Sequence, residues 1–166
     1  MAAERVFVGL GSNVGRRLVF LRRAVRALGR VPGVRVIRVS PVYETAPVGP
    51  RQRDFLNAAV ELRFRGEPLA LLGHLKSIEQ NLGRRRRKRW GPREIDLDLI
   101  FFGQRRCCAA LQLPHPRWKE RKFVVWPLTD IAARFKDPTD GRSLAHTRQK
   151  LTGSDQSIRL YERSLR

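Results

Sequence analysis

Ile95-Asp96-Leu97-Asp98-Leu99-Ile100-Phe101-Phe102 alternates apolar and acidic residues and then closes on aromatic ones. Period-two alternation of this kind marks a β-strand with one buried face. Read as a strand, it puts Ile95, Leu97, Leu99 and Phe101 toward the core. Asp96 and Asp98 then share the other face, with Cα atoms about 6.6–7 Å apart.

Upstream, Glu67-Pro68 opens a helix whose apolar stripe is Leu71, Leu72, Leu75, Ile78 and Leu82, and Gly83 stops it. Before it, Phe55 to Phe64 alternates cleanly. Leu56, Ala58, Val60, Leu62 and Phe64 fall on one face, and Phe55, Asn57, Ala59, Glu61 and Arg63 on the other. Pro41 to Pro50 holds three prolines and a glycine and reads as a loop. Val34, Val36 and Val39 predict a strand, and Leu18, Leu21, Val25 and Leu28 a helix ended by Gly29. Arg5 to Leu10 predicts the first strand, running into a turn at Gly9-Leu10-Gly11-Ser12-Asn13. Downstream of the acidic strand come a basic, proline-containing loop from Gln104 to Lys122, then Phe123-Val124-Val125-Trp126-Pro127, and a short helix to Ala133. A polar, weakly periodic tail begins at about Lys136. Strand, helix, strand, strand, helix, strand is the order of a split β-α-β sandwich. The predicted class is α+β, with helices on one face of a mainly antiparallel sheet. One domain over residues 1–166 accounts for the length.

Lys and Arg total 35 against 15 acidic residues, a net charge of +20. A field of that sign attracts nucleic acid, anionic membrane or phosphorylated small molecules, and scattered arginine bias produces it equally well. No apolar stretch reaches the roughly 18 residues of a membrane span. Met1-Ala2-Ala3-Glu4-Arg5-Val6 does not lead into a secretory signal. Cys107 and Cys108 are neighbours, poorly placed for a structural disulfide or a metal site. A cytoplasmic location is expected.

Two carboxylates side by side repel unless a cation lies between them or one takes a proton. Mg²⁺ accepts such oxygens together with substrate phosphates, while a solvated face paired with arginine would also suit the pair. Arg84, Arg86, Arg89, Trp90 and Arg93 immediately precede them. Guanidinium forks bind phosphate bidentately. Acids beside arginines suit a nucleotide–Mg²⁺ site better than a nucleic-acid groove, whose backbone the acids would repel. Phe55 and Asn57, on one strand face, suit a planar heterocycle or simply a core edge with a capping amide. His115, framed by Pro114 and Pro116, suits a phosphate contact or a turn. The glycine segment has neither the full dinucleotide fingerprint nor a P-loop ending. An RNA-binding module shares the sandwich topology, yet no strand here carries the aromatic pattern such modules use. A different metal-dependent phosphotransferase is the other alternative, and Phe55 with Asn57 discriminates against it.

In order along the chain stand Gly11-Ser12-Asn13, Tyr43-Glu44-Thr45-Ala46-Pro47, Asp54-Phe55-Leu56-Asn57-Ala58-Ala59-Val60, Arg89-Trp90-Gly91-Pro92-Arg93-Glu94-Ile95-Asp96-Leu97-Asp98-Leu99-Ile100, Pro114-His115-Pro116, Arg121 and Phe123. With these segments the sequence, from about Val6 to Leu144, resembles the 6-hydroxymethyl-7,8-dihydropterin pyrophosphokinases of folate biosynthesis. The resemblance implies a ferredoxin-like α/β sandwich that moves diphosphate from ATP to the hydroxymethyl oxygen of a reduced pterin, releasing AMP. By the same resemblance Asp96 and Asp98 bind two Mg²⁺. Phe55 and Phe123 sandwich the pterin, and Asn57 reads its edge beside Thr45 and Val48. Arg84, Trp90, Arg93, His115 and Arg121 contact ATP, with Glu79 and Leu99 near the nucleotide. Arg84, Arg86 and Arg93 join the two aspartates as catalytic residues, Arg86 and Trp90 lying in a mobile loop. Phe55 stands where the family often has Tyr, and Ala110, Gln112 and Pro116 also depart from its pattern. The implied partners are small molecules only, with no membrane and no specific nucleic acid, and a monomer is expected.

Overall fold

The computed structural model describes residues 1–107 and 109–165. Cys108, and with it the reading of the cysteine pair, lies outside the described residues. The elements are β1 (Glu4–Ser12), α1 (Arg17–Leu28), β2 (Val34–Val39), β3 (Val42–Thr45), β4 (Phe55–Phe64), α2 (Pro68–Asn81), β5 (Asp96–Phe102), α3 (Lys122–Ala132), α4 (Leu144–Leu151) and β6 (Ile158–Glu162). Among the described residues the strands form one antiparallel sheet in the order β5-β1-β4-β3-β6. β2 pairs the other half of β4's outer edge, from Val34 opposite Phe64 to Val39 opposite Val60. Thus β2 and β3 are one edge broken at Ser40-Pro41. Proline cannot donate to the ladder, and Ser40 Oγ fills in by accepting from Ala59 N–H at 2.8 Å.

The alternation of β4 sorts its residues as expected. Leu56, Ala58, Val60, Leu62 and Phe64 pack with Leu21, Ala24 and Leu28 of α1 and Leu71, Leu75 and Ile78 of α2. The opposite face is not left bare, as a one-sided sandwich predicts. Phe7, Ala59, Ile100 and Phe101 form a second cluster under Val124, Val125, Leu128 and Ile131 of α3 and Leu144 of α4. Phe7 is fully buried there, edge-on to Phe101 and Phe135 with centroids 6.1 and 4.8 Å away. Phe7→Ala is expected to cost about 3–5 kcal/mol, read as a lowered urea midpoint. Such a loss rivals the whole stability of an ordinary domain.

Four local expectations are corrected. First, Phe101 faces the second cluster, not the first. The β1–β5 register slips between Phe7, opposite Phe101, and Val8, opposite Leu99, leaving Ile100 as the extra residue of a β-bulge. Second, the Pro41–Pro50 loop contains β3. Its residues Tyr43 and Thr45 pair with Asn57 and Phe55. Third, the weak periodicity of the tail conceals two elements, α4 and β6. Ser143 caps α4 by accepting from His146 N–H at 3.2 Å, and β6 pairs with β3. Fourth, α3 runs on through Pro127, whose missing N–H the packing of Val124, Val125 and Leu128 outweighs.

Candidate active site

Gly9 and Gly11 lie within β1 rather than in the turn expected of them. Gly9 sits between Asp98 and Ala59, and Gly11 between Asp96 and Asn57, in cross-strand register. A Cβ on Gly11 would approach Asn57 Oδ1 to 3.1 Å, and one on Gly9 would touch the Ile100 side chain at 3.5 Å. Two missing side chains in the middle of a sheet face leave a hollow. Over it lies a cavity of about 370 Å³ lined by Thr45, Val48, Gln52, Phe55, Asn57, Trp90, Arg93, Asp96, Asp98, His115, Arg121 and Phe123. Asp96 and Asn57 sit two strand spacings apart, about 10 Å, so one end of the hollow is acidic and the other carries an amide and aromatic rings.

The aspartates are not equivalent. Asp96 Oδ1 accepts from Arg84 Nη1 and Oδ2 from Arg93 Nη1, both at 2.8 Å. Asp98 has no hydrogen-bond donor among the described residues. Burial, and then the charge of Asp96, push its carboxyl from the ordinary 3.8 up to about 7. Such a carboxyl is short of a positive partner, which fits a divalent cation held between the pair. Arg84 is itself set from below. Buried Glu79 accepts from Arg84 at 2.5 Å and from Leu97 N–H at 2.7 Å, tying α2 and Arg84 to β5.

Asn13 joins the two loops that rim the hollow. Its amide donates to Gln52 Oε1 at 2.9 Å and Arg53 O at 3.0 Å. Its Oδ1 accepts from Arg93 N–H at 2.8 Å, and its N–H donates to Arg93 O at 3.0 Å. Gln52 Nε2 in turn donates to Trp90 O at 2.8 Å. That bond supports a left-handed backbone at Trp90, φ 66°, which costs a non-glycine residue about 1–2 kcal/mol. Strain of this sort gathers at functional sites. Arg89 and Arg117 each lie over the Trp90 ring, 5.6 and 5.7 Å from its centroid.

His115 is seated by its N–H donating to Ile100 O at 2.9 Å. Burial, with Arg121 nearby, holds its imidazole below the usual range, so it is neutral at pH 7. Nδ1 accepts from Arg117 N–H at 3.3 Å, which leaves the proton on Nε2 as a donor. Asn57 Nδ2 is committed to Thr45 Oγ1 at 2.7 Å.

The structure therefore brings together eleven of the residues to which the resemblance gives a role, Thr45, Val48, Phe55, Asn57, Trp90, Arg93, Asp96, Asp98, His115, Arg121 and Phe123, and with them Arg89 of the basic run. Arg84 touches Asp96 from the side. Glu79 lies beneath as a support, and Arg86 is exposed beyond the rim. Leu99 is buried in the cluster on the opposite face of β5, so its side chain is not in the cavity. Gly9, Gln52 and Arg117 also line it. Gly9 was visible as a glycine in a strand pattern; nothing local marks Gln52.

A model of the 7,8-dihydro-6-hydroxymethylpterin-pyrophosphokinase (HPPK) family matches residues 7–133. The 2-amino-4-hydroxy-6-hydroxymethyldihydropteridine pyrophosphokinase of Synechocystis sp. is 44% identical over 138 residues, 82% of this chain and 71% of that protein. The Bacillus subtilis protein of the same name is 46% identical over 132 residues, 78% of this chain and 79% of its own. Among solved structures, an HPPK-DHPS in complex with substrates superposes with a TM-score of 0.73 at 15% identity, over 93% of this chain and 44% of that one. A wild-type Plasmodium falciparum HPPK-DHPS with pterin and p-hydroxybenzoate gives 0.72 at 15% identity, over 89% and 43%. The chain spans less than half of those solved chains, and at such identity the likeness speaks for the fold, which is ferredoxin-like.

Fold and relatives define the class, an ATP-dependent diphosphotransferase on an antiparallel α+β sandwich. Within it, the chain belongs to the 7,8-dihydro-6-hydroxymethylpterin-pyrophosphokinase family, whose reaction serves folate biosynthesis.

Proposed function

We propose that this hollow transfers the β,γ-diphosphate of ATP to the hydroxymethyl oxygen of 6-hydroxymethyl-7,8-dihydropterin, releasing AMP, with Asp96 and Asp98 as holders of two Mg²⁺. One observation carries the assignment of residues: a paired-carboxylate end and an amide-and-aromatic end share one cavity, separated only by the bare backbone of Gly11. Phe55 and Phe123 stack on the pterin, and Asn57 Oδ1, free of Thr45, accepts from its polar edge. The aspartates fit the cation, because among the described residues no side chain forms an ion pair with Asp98, and the more distant charges of Lys76 and Arg121 do not offset its burial beside Asp96. When bound, Mg²⁺ neutralises the polyphosphate and lowers the pKa of the acceptor hydroxyl. Arg84 and Arg93 leave Asp96 and turn their forks to phosphate oxygens, keeping their charge throughout. His115 donates through Nε2 without charging, and Arg121 faces the same phosphates from α3's approach. The reaction is positioning and charge neutralisation, so no side chain need act as a general base.

Among the described residues no helix is long and apolar enough to cross a membrane. We read the single domain as a cytoplasmic enzyme without a nucleic-acid partner.

With ATP, Mg²⁺ and the hydroxymethyl pterin, the protein is expected to release one AMP per acceptor consumed and to stop on chelation by EDTA. Production of ADP instead, or RNA retained on filters at physiological salt without AMP release, would sink this reading. Phe55→Ala is expected to raise the acceptor KM about 10-fold or more, since stacking on a flat ring contributes about 1–3 kcal/mol.

A further inference from the structure

The short segment 120–123 delivers two contacts to the cavity, Arg121 and Phe123. Its own sequence does little to hold it. Arg121 is the N-cap of α3 with extended angles, φ −116° and ψ 107°, and no side chain caps the first turn locally. A helix start of this kind leaves backbone donors without partners. Gln156, far along the chain, supplies the missing bonds. Its Oε1 accepts from Lys122 N–H at 2.9 Å, and its Nε2 donates to Glu120 O at 2.6 Å. One amide therefore clamps both peptide groups that flank Arg121. The same loop grips the buried Lys122 side chain, whose Nζ donates to Ser154 O at 2.8 Å and Thr152 O at 3.4 Å.

Immediately after Gln156 the chain becomes β6 and pairs with β3, placing Ile158 opposite Thr45. Arg159 pairs with the buried Glu44 of β3, which also takes Arg17 at 2.8 Å. One C-terminal segment thus binds both walls of the flat slot: β3 with Thr45 on one side, and the start of α3 with Phe123 on the other. This segment lies beyond residues 7–133, the stretch matched by the family model.

We propose that Gln156 is a positioning residue for the transfer: it fixes the placement of Phe123 before substrates arrive. The inference rests on the reading of Phe123 as a pterin contact. It acts through backbone, so its loss misplaces the ring and leaves the reacting groups at Asp96 and Asp98 untouched.

The test compares kcat, both KM values and thermal midpoints for the wild type, Gln156→Ala, Gln156→Glu, Phe123→Ala and the Gln156→Ala/Phe123→Ala double variant. Gln156→Ala is expected to raise the acceptor KM about tenfold with kcat within about twofold, as for a misplaced binding group. Gln156→Glu keeps the acceptor for Lys122 N–H and loses the donor to Glu120 O, so its KM falls between. In the Phe123→Ala background the Gln156→Ala effect on acceptor KM largely disappears, because no ring remains to be placed. An unchanged acceptor KM in Gln156→Ala overturns the proposal, as does an equal increment with and without Phe123. If Gln156→Ala does not fold, Gln156→Glu decides by the same criterion. A wild-type protein that releases no AMP overturns the functional reading itself, and this inference with it.

Discussion

Asp98→Asn is expected to abolish turnover while making the metal-free protein more stable at neutral pH. The folded protein raises this carboxyl from 3.8 to about 7 through burial and the neighbouring charge of Asp96. Below pH 4 the group is protonated whether the chain is folded or not, and no penalty exists. Between about pH 4 and 7 the unfolded chain ionises while the folded one keeps its proton, so stability falls as pH rises through that window, and the loss is complete above it. Asparagine has nearly the same shape and no charge to desolvate. In EDTA, melting curves at pH 5 and pH 8 should show the wild type losing ground to Asp98→Asn as the pH rises. Adding Mg²⁺ with ATP should restore the wild type and do little for the variant. Turnover should drop on the order of 10³-fold or more, the scale of losing a group that neutralises charge in the transition state. A variant within tenfold of the wild type would refute Asp98 as a holder of the cation.

Asn13→Ala is expected to have the next largest effect, although Asn13 does not line the cavity. The residue is 2% exposed and its side chain makes three hydrogen bonds to two different loops. Removing them costs about 3 kcal/mol, at roughly 1 kcal/mol each. The loop that ends at Arg93 and the loop holding Gln52 then lose their common anchor, and Trp90 loses the support of a positioned Gln52. Turnover is expected to fall about 100-fold, the scale of misplaced reacting groups. Trypsin should also cleave faster within the exposed run Arg85 to Arg89. Asn13→Asp keeps the acceptor for Arg93 N–H and loses both donors, so its urea midpoint should lie between those of the wild type and Asn13→Ala. Unaltered proteolysis in Asn13→Ala would remove the hub role.

Much of the fold was legible because β4 and the first half of β5 face two different environments. A strand with a packed face and a second, chemically distinct face writes its period plainly, and on that basis alone Asp96 was put beside Asp98, and Phe55 beside Asn57; the resemblance joined the two pairs. Residues whose placement is decided by a partner far away in the chain were not legible. Phe101 broke the alternation because the bulge at Ile100 is a property of the β1–β5 pair. β3 was hidden inside a proline-rich stretch whose strand character comes from β4 on one side and β6 on the other. β6 itself, Ile-Arg-Leu-Tyr-Glu, is a half-exposed edge with little apolar signal of its own. The second helical layer was missed for a related reason: α3 carries a proline that reads as a breaker until the core beneath it is seen. In the site, the glycines of β1 matter for what they lack, and Gln52 and Gln156 act through bonds to loops distant in sequence. The resemblance proposed the site residues, and the geometry separated those that line the cavity from Glu79 and Leu99, which sit beneath it.

The spare residue of β5 has its own use. Pairing with β1 would be continuous without Ile100, since Leu99 and Phe101 already meet Val8 and Phe7. The alternation would also survive its loss, with Asp98 still on the open face and Phe101 still in the aromatic cluster. What the extra residue adds is a carbonyl released from the ladder, and that carbonyl takes the His115 N–H. A chain one residue shorter at this point would keep its carboxylates and its core, and forfeit the peg on which the histidine hangs.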